Sequence, residues 1–365
     1  DGRRVIHEQD GALYLHGAGA TPEGDRPFLN RYHLADGTTE TLFRSPTDAW
    51  ESVVVMLDNR AEQLLVHRES PDCPPNLEIR LAGRPHRRIT QRIDPEPVLR
   101  RIQRRIITCR RSDGVELSFT LCLPADHSPQ QPPLPALLWA YPREFNDPET
   151  AGQVSGSVNR FNTLAGASHL FLVSLGYAVL DEVSMPVIGS PADANDSFIR
   201  QISDSAAAVI QAAAEIGAID PARVAVGGHS YGAFMAATLL AHTDLFRAGI
   251  ARSGAYNRTL TPFGFQNERR TFWEAPEVYM QLSPFAAANR IRSPLLLIHG
   301  DADSNPGTHV LQSERLYQAI KGNGGTARLV LLPHESHSCI AGESIEHTLW
   351  EMQEWLHRHL AAPTA

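Results

Sequence analysis

The sequence predicts an α/β protein whose main domain has a mostly parallel sheet and follows a smaller all-β portion. From about residue 106 onward, apolar runs of strand length alternate with segments of helical composition, which favours parallel strands covered by helices. Before that point, strand-like runs recur without intervening helices. The chain has 365 residues, which exceeds the roughly 250 to 300 at which single cores stop growing. We therefore expect two domains, at residues 1–90 and 91–365.

The first domain shows the repetition expected of propeller blades. Residues 52–57 and 63–67 read as paired strands across a turn at Asp58-Asn59-Arg60. Residues 32–37 resemble residues 78–83, with Leu34 and Leu81 as equivalent positions 47 residues apart. That spacing suits blades of about 40 to 50 residues. Only about two blades fit before residue 90, whereas a closed ring needs at least about four. We expect the last blades of an incomplete β-propeller, on a chain that is a fragment or a processed piece.

The second domain reads as an ordered series of hydrolase elements. A hairpin around Asp113-Gly114 comes first, and a Pro-rich linker leads from it into a buried strand. A helix then ends at Gly217 and is followed by further strand and helix pairs. The predicted elements are hairpin strands 106–111 and 115–123, strands 136–141, 177–180, 223–227, 294–298 and 327–332, and helices 197–216 and 233–240. Together they predict an α/β-hydrolase domain.

A five-residue motif, Gly228-His229-Ser230-Tyr231-Gly232, stands between a predicted strand and a predicted helix. This is the setting of a nucleophile elbow, in which a strained turn exposes a serine hydroxyl. Glycine on both sides lets strand and helix crowd around the serine because no Cβ intervenes. A lone match would also suit an ordinary Gly/Ser-rich turn, but the flanking strand and helix favour Ser230 as a catalytic serine.

A catalytic serine needs a base and an acid, and both follow later strands. Asp301 and Asp303 come just after one strand, and His334 and His337 just after the last. The carboxyl ends of parallel strands meet at one edge of a sheet, and the order Ser, Asp, His is that of the hydrolases. Turn capping and surface solvation are the ordinary roles for such residues. Spacing does not separate the two members of either pair; we choose Asp303 and His337.

Several stretches carry a family resemblance across nearly the whole chain. They are residues 17–25, 139–145, 227–235, 251–268 and 332–337. With them the chain resembles the catalytic part of the prolyl oligopeptidase family of serine peptidases, and within it the glutamyl endopeptidase branch known from chloroplasts and bacteria. The resemblance implies a β-propeller ahead of the hydrolase domain and glutamate at the P1 position. It places the triad acid on Asp303, in a His-Gly-x-x-Asp loop, and the base on His337, which closes a Glu-Ser-His motif. The chain departs from the family where Ser338-Cys339 replaces Gly-Tyr.

Four further residues are candidates for stabilising the oxyanion or binding substrate. The backbone N–H of Tyr231 is an oxyanion donor by its position, and the family uses a tyrosine from the loop that holds Tyr141. A buried aromatic is the competing interpretation for Tyr141. Glutamate recognition requires a cation, for which Arg143 and Arg258 are candidates because a guanidinium binds a carboxylate through two hydrogen bonds. Most arginines instead solvate surfaces or pair with acids. The long segment 253–283 is expected to overlie the site and shape the substrate pocket.

Composition narrows the function further. Hydrophobic residues make up 42% of the chain, yet no apolar run reaches the roughly 20 residues of a membrane-spanning helix, so we expect a soluble protein without membrane association. A net charge of −8 argues against nucleic-acid binding. The cysteines, Cys73, Cys109, Cys122 and Cys339, lack zinc-ligand spacing, and the chemistry needs no metal or other cofactor. Peptides are the expected partners.

Two other hypotheses fit the same fold. A carboxylesterase or lipase would share the triad, but would not explain propeller blades upstream. A noncatalytic scaffold could retain the fold as a binding surface. Reactivity of Ser230 towards a fluorophosphonate separates enzyme from scaffold, and ester and peptide panels separate the two kinds of enzyme.

Overall fold

The computed structural model describes residues 6–81 and 86–361, which form two compact units. The first unit comprises Asp1–Arg101 together with Val154–Thr163, and the second comprises Ile102–Gln153 and Leu164–Ala365. The boundary predicted at residue 90 falls inside the first unit. The short segment Val154–Thr163 joins that unit although it interrupts the second in sequence.

The first unit contains two four-stranded antiparallel sheets, each with its strands in chain order. Their cores share Leu29, Phe43, Leu64 and Val66, which are almost fully buried. The first sheet holds β1 (Glu8–Gln9), β2 (Ala12–Gly17), β3 (Phe28–His33) and β4 (Thr39–Arg44), and the second holds β5 (Trp50–Met56), β6 (Gln63–Ser70), β7 (Cys73–Leu81) and β8 (Arg87–Arg88). Four strands per sheet in simple succession is the architecture of propeller blades.

The predicted hairpin of this unit is confirmed, since β5 pairs antiparallel with β6. Its turn is held by Asp58, whose carboxylate accepts hydrogen bonds from the backbone N–H groups of Arg60, Glu62 and Gln63. The predicted segment 32–37 is the end of β3 and the turn after it, whereas Leu81 ends β7. The last two residues of the other predicted segment, Ala82 and Gly83, lie outside the described residues.

Two carboxylates connect Val154–Thr163 to the rest of the first unit. The backbone N–H of Phe161 donates to Glu69 Oε2 at 2.9 Å, and that of Gly156 donates to Asp25 Oδ2 at 2.9 Å. Glu69 is 3% exposed, so its charge depends on these partners rather than on water. Partners so distant in sequence leave no local pattern by which the connection could be predicted.

The second unit is built on an eight-stranded sheet with the order β18-β17-β16-β15-β11-β13-β10-β9. Parallel pairing runs from β18 through β13, and the hairpin of β9 and β10 adds the antiparallel edge. The strands are β9 (Gln103–Arg110), β10 (Glu116–Leu123), β11 (Leu134–Ala140), β13 (Ala178–Val183), β15 (Ile219–His229), β16 (Ala248–Arg252), β17 (Leu295–Gly300) and β18 (Ala327–Leu332), with a separate parallel pair of β12 (Arg143–Phe145) and β14 (Pro186–Ile188). The predicted mostly parallel sheet is confirmed.

Helices cover both faces of this sheet. The α-helices are α1 (Pro148–Ala151), α2 (Phe198–Glu215), α3 (Tyr231–His242), α4 (Pro276–Gln281), α5 (Leu311–Gly322) and α6 (Gly342–Leu360), and short 3₁₀ turns lie at Pro97–Arg101 in the first unit and at His169–Leu175, Ala194–Ser197, Arg258–Leu260 and Ala288–Arg290 in the second. Side chains of α2, α3 and α5 pack in one apolar core, while α6 and the turn His169–Leu175 pack in another. Successive residues of β15 alternate between the two cores, Val224 and Val226 in the first and Ala225 in the second. Burial on both faces explains why the central strands are uniformly apolar.

The central strand begins before residue 223, where the sequence predicts its start. β15 begins at Ile219 and includes Asp220 and Pro221. Its pairing with β11 shifts register between Leu134 and Ala136, so the strand accommodates this polar stretch as an irregularity. Asp220 accepts hydrogen bonds there from the Ala222 N–H and from Arg223 Nε.

Within the described residues, no helix combines the length and apolar character that crossing a membrane requires. The same part of the chain contains no group of three or more His, Cys, Asp and Glu residues able to hold a metal ion. All four cysteines are free thiols.

Candidate active site

Ser230 occupies a strained turn between β15 and α3. Its φ and ψ are 58° and −116°, a region that residues with a side chain rarely adopt. The turn is possible because Gly228 and Gly232, two positions away on either side, lack side chains. A Cβ on Gly228 would lie 2.3 Å from the Gly232 carbonyl carbon, and one on Gly232 would lie 2.3 Å from the Ala140 carbonyl oxygen. The geometry is that of a nucleophile elbow, with the serine at the junction of strand and helix.

Backbone hydrogen bonds hold the elbow in place and leave one amide available. The Ser230 N–H donates to the Arg252 carbonyl oxygen at 2.8 Å, and the Ser230 carbonyl oxygen accepts from Ala233 and Phe234. Tyr231 is the first residue of α3, where a backbone N–H has no acceptor within the helix. Its N–H therefore stands beside the Ser230 hydroxyl, at the positive end of the helix dipole.

His337 and Asp303 form a hydrogen-bonded pair after the last two parallel strands. His337 Nδ1 lies 2.9 Å from Asp303 Oδ2, and the carboxylate is fully buried while the imidazole side chain is 26% exposed. Burial opposes ionisation of Asp303, but hydrogen bonds from His337, from the Asn305 N–H and from the Thr308 hydroxyl outweigh it and lower the pKa of Asp303. Asp303 is therefore an anion that can hold His337 in one tautomer, with Nε2 free to accept a proton.

The loops of Ser230 and His337 come close together, although no hydrogen bond joins these two side chains among the described residues. The His229 ring, next to Ser230 in sequence, lies 4.8 Å from the His337 ring between centroids. Thr308, which contacts His337 Nδ1 at 3.0 Å, lines the same cavity as Ser230. Such hydrogen bonds are often long before substrate binds, so this arrangement suits a resting hydrolase.

Asp301 and His334, the alternatives to Asp303 and His337, contact each other instead. Asp301 Oδ1 accepts a hydrogen bond from the His334 N–H at 2.7 Å, which ties the loop after β17 to the loop after β18. His334 adopts a left-handed φ of 62°, and this bond helps to hold it there. Asp301 and His334 thus fix the relative position of the loops that carry Asp303 and His337.

His229 is a histidine of the site that the sequence did not single out. Burial, together with the smaller effect of the nearby positive charge of Arg252, lowers the pKa of His229 to about 4. The imidazole is therefore neutral at neutral pH. Its Nε2 lies 3.5 Å from the Ser338 hydroxyl, one residue beyond His337. The position of His229 directly before Ser230 was the available signal, but sequence alone could not show the contact with His337.

A cavity of about 480 Å³ opens beside Ser230. Its lining includes much of the long segment after β16, in agreement with the expectation that residues 253–283 overlie the site. The lining residues are Ser230, Tyr231, Ala255, Arg258, Leu260, Thr261, Pro262, Phe263, Gly264, Phe265, Gln266, Asn305, Pro306, Gly307 and Thr308.

Arg258 is the cation of this cavity. It is 4% exposed, and its Nε and Nη2 atoms are buried without a hydrogen-bond partner in the part of the chain that the structure describes. The guanidinium stacks over aromatic rings, with its Cζ 4.0 Å from the Phe234 centroid, 4.4 Å from Phe265 and 5.4 Å from Tyr231. Burial lowers the pKa of Arg258 to about 10, which still leaves it charged at neutral pH. A buried cation with unpaired donors destabilises the folded state unless an anion accepts its hydrogen bonds and neutralises its charge.

Tyr141 lies at the same edge of the sheet. It is 46% exposed, so the alternative of a buried aromatic does not apply, and its ring packs edge-on against Tyr231 with centroids 5.8 Å apart. Glu144, from the same loop, accepts a hydrogen bond from the Tyr231 hydroxyl at 2.8 Å. Burial raises the pKa of Glu144, an effect that this hydrogen bond and Arg258 partly offset. The loop of Tyr141 is thereby attached to the residue that follows Ser230.

Arg143, the second candidate cation, is exposed in the short strand β12. It is not among the residues that line the cavity beside Ser230. Of the two arginines, the structure brings only Arg258 next to the serine.

Comparison with known proteins gives consistent matches. Residues 200–363 match the prolyl oligopeptidase family, and residues 113–259 match the X-Pro dipeptidyl-peptidase family. A probable chloroplastic glutamyl endopeptidase of Arabidopsis thaliana is 44% identical over 99% of this chain and 39% of its own length. A probable chloroplastic glutamyl endopeptidase of Oryza sativa subsp. japonica is 44% identical over 97% of this chain and 39% of its own length. The chain thus spans about two fifths of the length of these relatives.

Among solved structures, the dipeptidyl peptidase 4 of Porphyromonas gingivalis superposes with a TM-score of 0.72 at 18% identity, covering 96% of this chain and 48% of the other. At this identity the likeness concerns the fold.

Proposed function

We propose that the chain, which matches the prolyl oligopeptidase family, is the catalytic part of a serine peptidase that cleaves peptide bonds after glutamate. The observation that carries the proposal is a single cavity in which a strained serine, Ser230, lies beside a buried cation with unused donors, Arg258. The serine supplies the nucleophile, and the cation supplies the recognition of an acidic side chain. The relatives named as glutamyl endopeptidases support the same assignment.

In the proposed mechanism, three residues form the triad. His337 takes the proton of the Ser230 hydroxyl through Nε2, while Asp303 holds the Nδ1 proton and stabilises the imidazolium that forms. Ser230 Oγ attacks the peptide carbonyl carbon, and the resulting tetrahedral intermediate collapses to an acyl-enzyme as His337 passes its proton to the leaving amine. Water, activated by the same histidine, then hydrolyses the ester and regenerates Ser230.

The negative charge that develops on the carbonyl oxygen requires donors fixed in advance. The Tyr231 N–H is one, because it is unpaired at the start of α3 beside Ser230. The Tyr141 hydroxyl is the second: it makes no hydrogen bond to another described residue, and its ring packs against Tyr231. Glu144 helps to position this loop through its hydrogen bond with Tyr231.

Recognition of glutamate follows from the state of Arg258. Two of its nitrogen atoms are buried without a hydrogen-bond partner among the described residues, and Arg258 is one of the residues that line the cavity. A P1 glutamate would satisfy these donors and neutralise the buried charge, whereas glutamine would leave the charge uncompensated. Arg143 is retained as the weaker candidate, because it is exposed and outside the cavity lining.

The test uses the full-length protein and peptides that differ only at P1. We expect cleavage after Glu at a kcat/KM at least about 100-fold above Gln, because one uncompensated buried charge costs several kcal/mol. The Ser230→Ala variant controls for contaminating peptidases and should be inactive. Peptide substrates inert towards a wild type that hydrolyses simple esters would favour the carboxylesterase hypothesis. A folded wild type that a fluorophosphonate does not label at Ser230 would favour the scaffold.

A further inference from the structure

His299 is a buried histidine that the mechanism above does not use. It lies at the end of β17, four residues before Asp303, and its side chain has no solvent exposure. A buried imidazole needs partners for both ring nitrogens. Here one nitrogen contacts the triad acid itself.

The partners of His299 determine its tautomer. Its Nε2 lies 2.6 Å from the Thr308 carbonyl oxygen and 3.0 Å from Asp303 Oδ2, and both of these atoms are acceptors. The Nε2 atom must therefore carry a proton. Burial lowers the pKa of His299, so the ring is neutral and Nδ1 is an acceptor. The Ser313 hydroxyl, 2.7 Å from Nδ1, donates to it.

With the tautomer assigned, the environment of Asp303 is complete. Its Oδ2 accepts from His299 Nε2, from the Thr308 hydroxyl and from His337 Nδ1, and its Oδ1 accepts from the Asn305 N–H. One oxygen thus accepts hydrogen bonds from both imidazoles. The His337 ring is partly exposed and the His299 ring is not, so the buried imidazole is the more rigidly held of the two.

We propose that His299 is a positioning residue that fixes the rotation of the Asp303 carboxylate, so that Oδ2 stays directed at His337. The inference rests on the proposed function, because it assigns His299 a role in a reaction carried out by the triad. The Thr308 hydroxyl is a further donor to Asp303 Oδ2, and it also contacts His337 Nδ1.

Two variants separate this role from a contribution to stability. In His299→Gln the side-chain amide extends about as far as Nε2 and can still donate to Asp303. In His299→Asn the amide ends near the position of Nδ1, so it keeps a partner in Ser313 but not in Asp303. Both replace a buried ring by a smaller amide, and both should lower the free energy of unfolding.

The measurement is kcat and KM of each full-length variant on a P1-Glu peptide, per active site titrated with a fluorophosphonate. We expect kcat of His299→Asn to fall about 10- to 100-fold with KM unchanged, which corresponds to loss of one hydrogen bond to a charged group. His299→Gln should recover most of that loss. Unchanged kcat per titrated site in His299→Asn would overturn the inference, as would equal losses in both variants.

Failure of the proposed function would give a different result. If wild type itself cleaves no P1-Glu peptide, or if Ser230→Ala remains as active as wild type, then the peptidase assignment is wrong whatever the histidine variants do. If wild type is active and Ser230→Ala is not, the result for His299 stands by itself.

Discussion

Replacement of Arg258 by methionine is the most direct test of acidic P1 recognition. Methionine has a similar length and fills the space among Phe234, Phe265 and Tyr231, but it offers no donor and no charge. We expect Arg258→Met to lose the preference for glutamate while it keeps the hydrolytic chemistry. The triad residues do not contact Arg258 through any hydrogen bond among the described residues.

The size of the effect follows from the two unpaired nitrogens, Nε and Nη2. A hydrogen bond to a charged group contributes about 1.5 to 3 kcal/mol, so two such bonds to a P1 carboxylate contribute about 3 to 6 kcal/mol. Their loss lowers kcat/KM on a P1-Glu peptide by about 150- to 25,000-fold. The matched P1-Gln peptide should change far less, because it gains little from the charge of Arg258.

The assay compares kcat/KM for P1-Glu and P1-Gln peptides in wild type, Arg258→Met and the control Arg143→Gln. Arg143 is a second arginine near the site that lies outside the cavity, so its loss should leave the Glu-to-Gln ratio within about threefold of wild type. A ratio in Arg258→Met within about tenfold of wild type would refute the assignment of Arg258. A collapse of the ratio in Arg143→Gln instead would transfer the role to Arg143.

The same variant has a second readout in stability. Removal of a buried cation without an ion-pair partner is favourable, whereas loss of the stacking on three rings is unfavourable by about 0.5 to 2 kcal/mol for each ring. These contributions oppose each other, so the free energy of unfolding of Arg258→Met should stay within about 2 kcal/mol of wild type. Chemical denaturation can therefore show that lost selectivity does not reflect a lost fold.

Two other changes test Tyr141 as an oxyanion donor and the neutral state of His229. Tyr141→Phe removes one hydroxyl and keeps the ring against Tyr231. In steady-state kinetics, kcat on peptides should fall about 100-fold, because about 3 kcal/mol of transition-state stabilisation is lost. An unchanged kcat would exclude Tyr141 as an oxyanion donor. Burial lowers the pKa of His229 to about 4 from an ordinary 6.5. Below pH 6.5 the unfolded chain therefore binds a proton at this histidine, whereas the folded chain does not bind it until about pH 4. His229 thus makes the free energy of unfolding fall as the pH falls from 6.5 to 4. His229→Gln should therefore lose up to about 2 kcal/mol less stability than wild type between pH 7 and pH 5 in urea titrations, and identical losses would contradict the buried neutral state.

Much of the candidate site could be predicted because it depends on local signals. Ser230 stands in a turn flanked by glycines, and Asp303 and His337 each follow an apolar run of strand length. What the sequence did not separate was Asp301 from Asp303 and His334 from His337. In the structure Asp301 binds the His334 N–H, so one member of each pair ties the loops together. Such a pairing depends on the approach of two loops, which leaves no pattern in either of them.

Other features were beyond sequence reasoning for a related reason. Arg143 and Arg258 are equivalent as residue types, and only the folded path of the segment after β16 buries Arg258 against Phe234 and leaves Arg143 in solvent. Similarly, nothing local distinguishes His299 from any histidine at the end of a strand. Its Nε2 contacts Asp303 Oδ2 and the Thr308 carbonyl oxygen, and both contacts depend on how the loop after β17 folds.

The strain at Ser230 explains why the elbow and its helix are packed so completely. A residue with a side chain in this backbone region costs about 1 to 3 kcal/mol, which the surroundings must offset. Relaxation of Ser230 would break its hydrogen bond to Arg252 and move α3, in which every residue except His242 is buried. Displacing even one of those apolar side chains costs as much as the strain releases. Ser230 therefore stays half-buried at the junction, because the core beneath it does not allow the turn to relax.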